Sequence, residues 1–138
     1  MKAHIGKDRM DSLKVSDIMV RDVASIRADA PVADLVKLLD YEHIGGAPVV
    51  DARGHLLGVA SATDVIREAA EAAGSAQSGL AVRDIMTPAT FTVRPDATLA
   101  ELARFLVRGE IHRALVLEGE RLVGIVTAFD IVRAIARE

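Results

Sequence analysis

The sequence predicts an α/β (α+β) fold: two β-α-β-β-α repeats packed with pseudo-twofold symmetry. Three observations lead there. A block of residues returns in register 67 positions later, short branched runs alternate with amphipathic stretches, and turn-forming residues separate them. The chain has 138 residues, enough for two small subdomains that share a core.

The duplication is explicit. Val15-Ser16-Asp17-Ile18-Met19 returns as Val82-Arg83-Asp84-Ile85-Met86, so Asp17 and Asp84 stand 67 residues apart. That offset aligns Arg27 with Arg94, Asp29 with Asp96, Leu35 with Leu102, Ile44 with Ile111 and Val49 with Val116. One deletion in a turn shortens it to 66, which aligns Gly58 with Gly124, Ala62 with Ala128, Asp64 with Asp130 and Arg67 with Arg133. Register kept through strands, helices and turns marks a true repeat. The expected organisation is a tail at 1–13, repeat 1 at 14–73, a linker at 74–80 and repeat 2 at 81–138.

Each repeat reads in the same order. A turn at Asp-Ile-Met leads into an extended piece, Val23–Ile26 or Thr90–Val93. An amphipathic helix follows. In repeat 1, Asp29 and Pro31 open it, and Val32, Leu35, Val36 and Leu39 form its stripe. In repeat 2, Thr98 and Glu101 have capping-box spacing, with Leu99, Leu102, Ala103 and Leu106 on one face. A hairpin comes next: Ala47–Val50 and Leu56–Ala60 around Asp51–Gly54, or Ala114–Leu117 and Leu122–Val126 around Glu118–Glu120. A second helix closes each repeat, Ala62–Ala73 and Ala128–Arg137, and Gly74–Gly79 has linker composition.

Composition narrows the function. Lys+Arg 17 against Asp+Glu 20 leaves a net charge of −3, without the basic field that nucleic-acid binding needs. With no Trp and a single Tyr, stacking platforms for bases are missing too. The absence of Cys removes disulfides, thiolate nucleophiles and sulfur metal ligands, and it fits a reducing compartment. No apolar run approaches a membrane span, and the first residues lack the apolar segment of a signal peptide. The expectation is a cytoplasmic protein with neither nucleic-acid nor membrane partners. Hydrophobic residues make up 51% and aromatics 3%, so the core must be Val, Ile, Leu and Ala. Surplus apolar surface predicts a homodimer formed through the amphipathic helices Val32–Asp40 and Leu99–Val107.

The chemistry-bearing motif is also doubled. Gly58-Val59-Ala60-Ser61-Ala62-Thr63-Asp64 matches Gly124-Ile125-Val126-Thr127-Ala128-Phe129-Asp130, each at the passage from strand to helix. Either copy alone reads as a helix cap, with Ser or Thr as N-cap and Asp in the first turn. The same geometry also suits a nucleoside phosphate. A helix N-terminus and a hydroxyl offer donors to phosphate, and a carboxylate one turn on can accept from a ribose diol.

Taken together, the doubled Asp-Ile-Met, Pro95–Leu99, Ala47–Asp51 and the two Gly-x-x-Ser/Thr-x-x-Asp segments resemble the CBS (cystathionine-β-synthase) domain family, from Val15 to Ile135. The resemblance implies a paired CBS module, or Bateman module, whose inter-repeat cleft holds up to two nucleotides and whose pairs associate as dimers. It assigns phosphate and ribose contacts to Ser61, Asp64, Thr127 and Asp130. Further contacts would come from the stretch after Asp-Ile-Met and from the start of the second strand. In repeat 2 these are Thr87, Pro88, His112 and Arg113. Repeat 1 has Val20 and Arg21, then Gly45 and Gly46, at the matching places. Arg113 suits phosphate because a guanidinium is forked and always charged. The asymmetry predicts one better site, in repeat 2, with Arg21 a secondary phosphate contact.

No Walker-type phosphate loop and no dinucleotide fingerprint is present, and His4, His43, His55 and His112 lack metal-ligand spacing. The expected function is therefore regulatory rather than catalytic. The ligand would be AMP, ADP or ATP, with no required cofactor and an effector protein as the recipient of the signal. The alternatives are an interaction module with a vestigial cleft and an S-adenosylmethionine sensor.

Overall fold

The computed structural model describes residues 4–73, 79–89 and 91–138. In chain order its elements are α1 (Lys7–Ser12), α2 (Val15–Ile18), β1 (Ile26–Arg27), α3 (Val32–Glu42), β2 (Gly46–Val50), β3 (Leu56–Ser61) and α4 (Ala62–Ala72). A 3-10 turn at Val82–Asp84 follows, then β4 (Thr92–Val93), α5 (Leu99–Gly109), β5 (Arg113–Glu118), β6 (Arg121–Thr127) and α6 (Ala128–Ala136). The expected β-α-β-β-α order holds in both repeats. Each has a three-stranded sheet in which the first strand runs parallel to the second and the second antiparallel to the third.

The compact units do not follow the repeat boundaries. The chain up to Val23 joins Phe91–Glu138 in one unit, and the stretch from Ala24 up to that point forms the other. The Asp-Ile-Met segment that opens each repeat thus belongs to the unit of the other repeat. Matched hydrogen bonds fix this exchange. Val15 N–H donates to Ala97 O (2.8 Å), as Val82 N–H does to Ala30 O (2.9 Å). Val20 pairs with Ile125 on the free edge of β6, as Thr87 pairs with Val59 on the free edge of β3. Val15 and Val82 are both fully buried, each in the core of the unit it joins. The hydrophobic gain of placing them there, about 1.5–3 kcal/mol each, is what ties the segment down.

Three expected details change. The opening strands shrink to Ile26–Arg27 and Thr92–Val93, the residues that stand in ladder register with β2 and β5; Thr90 lies outside the described residues. Helix α3 starts on Pro31 without a side-chain cap. Asp29 pairs with Arg27 instead, and the Leu80 carbonyl accepts from Val32 N–H at 3.0 Å. At α5, Thr98 Oγ1 accepts from Glu101 N–H, but the Glu101 carboxylate accepts from the Thr98 hydroxyl rather than from its N–H. Most of the expected linker, 74–78, lies outside the described residues, while Leu80 and Ala81 already belong to the first-repeat unit.

The leucines of the α3 and α5 stripes are core-facing. Leu35 and Leu39 are buried in one unit, and Leu99, Leu102 and Leu106 in the other. Their leucines thus have partners within each unit, while Val36 on α3 and Val107 on α5 remain exposed. Exposed apolar side chains also stand on α4 and α6: Ile66, Phe129 and Val132.

Candidate functional site

Both Gly-x-x-Ser/Thr-x-x-Asp motifs sit where the third strand of a sheet becomes a helix. In the first-repeat unit, Ser61 is the N-cap of α4. Asp64 N–H donates to Ser61 Oγ (3.2 Å), and Asp64 Oδ2 accepts from Ser61 N–H (2.9 Å) and from the Ser61 hydroxyl (2.9 Å). In the second-repeat unit, Thr127 caps α6. Asp130 N–H donates to Thr127 Oγ1 (3.2 Å), and Asp130 Oδ2 accepts from Thr127 N–H (2.8 Å). The helix-cap reading of these motifs is therefore realised in full. It leaves the ligand reading open, because capping uses Oδ2 and not Oδ1.

Each carboxylate is 7% exposed and carries a cation one turn further along. Arg67 Nη1 donates to Asp64 Oδ1, and Arg133 Nη1 to Asp130 Oδ1, both at 3.2 Å. The guanidinium of Arg133 also lies 5.0 Å from the ring centre of Phe129. Arg67 and Arg133 are functional candidates that sequence reading used only to align the repeat. Their signal was the i+3 spacing from Asp, a spacing at which helical side chains meet.

The motif glycines explain how the exchanged segments come so near. A Cβ on Gly58 would stand 2.5 Å from the Thr87 carbonyl oxygen, and one on Gly124 would stand 2.7 Å from Met19 Sδ and 3.0 Å from the Val20 carbonyl oxygen. Glycine is what lets the segment lie directly on the strand. This regroups the predicted site residues. Thr87 and Pro88 border the Ser61–Asp64 motif, together with Gly45 and Gly46. There Gly46 pairs with Ser61 and Gly45 O accepts from Ala62 N–H (2.8 Å). Val20 and Arg21 border the Thr127–Asp130 motif, together with His112 and Arg113. There Arg113 pairs with Thr127 and His112 O accepts from Ala128 N–H (2.8 Å). The expected grouping of Thr87 and Pro88 with Thr127 and Asp130 is thus corrected: strand pairing sends them to the other motif.

Thr87, Pro88, Arg21, His112 and Arg113 are all exposed, and Arg21 donates to Ser16 O (3.3 Å). Among the described residues no cluster of His, Asp and Glu could hold a metal ion. The surface cavities of about 460 and 730 Å³ on the second-repeat unit lie along α5 and beside the β5–β6 turn, and no motif residue lines either.

A fold of two such units, each with a capped Gly-x-x-Ser/Thr-x-x-Asp motif bordered by an exchanged segment, defines a class of paired modules. The chain matches the CBS domain family over residues 15–71 and 82–137 and belongs to it, as a tandem CBS pair. It is 32% identical to the uncharacterized protein MJ1404 of Methanocaldococcus jannaschii over 92% of this chain, and it spans 33% of that protein. Among solved structures it resembles CBSX2 in complex with AMP (28% identity, TM-score 0.75), covering 91% of this chain and 98% of that one. It also resembles the CBS domain of a bacterial CNNM/CorC family Mg2+ transporter in complex with ATP (25% identity, TM-score 0.77), covering 96% and 94%.

Proposed function

We propose that this CBS pair is a regulatory module that binds an adenine nucleotide, AMP, ADP or ATP, at the Ser61–Asp64 and Thr127–Asp130 motifs. It catalyses nothing, and occupancy is passed to an effector protein through a change in conformation or association. The observation that carries this reading is the pair of buried carboxylates, each held by its cap through Oδ2 with Oδ1 turned to an arginine. Such a carboxylate can accept from a ribose diol. Beside it, the Ser or Thr hydroxyl and the first helical turn offer donors to phosphate. Exposed Arg113 and Arg21 supply positive charge near the Thr127 motif, and Thr87 and Pro88 border the Ser61 motif. The AMP and ATP complexes of similar CBS pairs support the ligand class.

Calorimetric titration of ligand-stripped protein with AMP, ADP, ATP and S-adenosylmethionine tests this. The expected result is saturable binding of at least one adenine nucleotide at one or two sites. Saturation by S-adenosylmethionine alone would move the reading to a sulfonium nucleoside, and no saturable heat from any of them would overturn it. A second reading, self-association, is favoured by Ile66, Phe129 and Val132 standing exposed on α4 and α6. Sedimentation of Ile66→Ser and Phe129→Ser against the parent protein tests it: a dimer that persists in both variants contradicts that surface. The cytoplasm is the proposed location.

A further inference from the structure

Three groups distinguish the two motifs, and all three bear on the same step. A carboxylate has about four lone-pair positions, and a cis-diol donating twice needs two of them. At Asp64 three are filled, by Ser61 N–H, the Ser61 hydroxyl and Arg67. At Asp130 two are filled, by Thr127 N–H and Arg133, one on each oxygen. The hydroxyls differ in the same sense. Both accept from the N–H of their Asp, but only the Ser61 hydroxyl also donates to its carboxylate. The arginines differ too: Arg133 is held from a second side by the Phe129 ring, and the residue matching Phe129 in repeat 1 is Thr63.

We infer that the two motifs form unequal sites. Thr127–Asp130 stands open to a nucleoside, with Arg133 a fixed support. Ser61–Asp64 is closed on itself and admits a nucleoside only when Arg67 releases Asp64. Arg67 is thus a positioning residue that acts as a latch on the ribose-reading carboxylate. The inference rests on the nucleotide reading above and adds the residue that sets the affinity of the weaker site. Because the latch is a partly exposed ion pair, salt weakens it. Even an uncharged ligand should then bind the weaker site better at high ionic strength, the reverse of ordinary salt screening.

Calorimetric titration with adenosine, which carries no phosphate, tests the latch at low and high salt, with AMP as a reference. The protein should show two unequal steps, the weaker one absent in Asp64→Ala. High salt or Arg67→Ala should strengthen the weaker step by about two- to fivefold, the span of an exposed ion pair. In Arg67→Ala its salt dependence should vanish. Arg133→Ala should strengthen neither step. Two equal steps, a weaker step that loses affinity in Arg67→Ala, or salt dependence that survives that substitution overturns the latch alone. If neither adenosine nor AMP binds, the nucleotide reading falls and takes the latch with it.

Discussion

At Gly58 and Gly124 a single hydrogen atom decides whether the exchanged segment can lie on its strand. The two positions are not equally strict. At Gly58 the obstacle to a Cβ is backbone, the Thr87 carbonyl oxygen, whereas at Gly124 the nearest atom is the sulfur of the flexible Met19 side chain. Gly58→Ala should therefore cost about 2–3 kcal/mol and Gly124→Ala about 1–2 kcal/mol, within the range for overpacking. Urea unfolding of the two variants reads the difference, and an equal or reversed order would contradict the geometry. The capping boxes at Ser61 and Thr127 are legible in sequence because each joins residues three apart. The regrouping of Thr87 with Ser61 is not, because a repeat that pairs within itself and one that exchanges its leader satisfy the same bonds.

Among the elements, the β2–β3 hairpin carries the chain's clearest titrating device. Asp51 Oδ1 accepts from His55 N–H (3.0 Å) and Arg53 N–H (2.8 Å) within the turn. The His55 amide holds the carboxyl below its ordinary range. Partial burial opposes that shift, and the Arg53 amide reinforces it. A carboxylate with a depressed folded value contributes stability above its unfolded value and loses it as pH falls through the folded one. Acidification below about pH 4 should thus weaken the hairpin. In Asp51→Asn that part of the acid arm should be flat, as read by thermal unfolding between neutral and acid pH. An unchanged acid arm would remove Asp51 from the account. The hairpins themselves are legible from branched residues around turn chemistry. The opening strands read too long, because two residues of pairing leave little periodic signal.

On the scale of the whole molecule, the exchange of leading segments makes a prediction that the repeat boundaries alone would reverse. Removing residues 1–20 takes away Val15, fully buried, and the Val20 partner of Ile125. The second-repeat unit should lose about 3 kcal/mol or more. Amide hydrogen exchange should rise first in β5 and β6, and loss of protection first in β2 and β3 would contradict the exchange. Membership of the CBS family and the doubled α/β architecture are legible in the chain because duplication repeats every local signal. The Arg67 latch is not, because Arg at i+3 from Asp is common on any helix surface.

We propose that Asp64 and Asp130 read an adenine nucleotide. Thermal unfolding with and without AMP, in the parent protein and in Asp64→Ala/Asp130→Ala, tests it most directly. A ligand that binds only the folded state adds about 2.7 kcal/mol at a hundredfold excess over Kd. The parent protein should show that rise in Tm with AMP, and the double variant, whatever its starting Tm, should show none. An equal rise in both proteins, or none in the parent, would contradict the account.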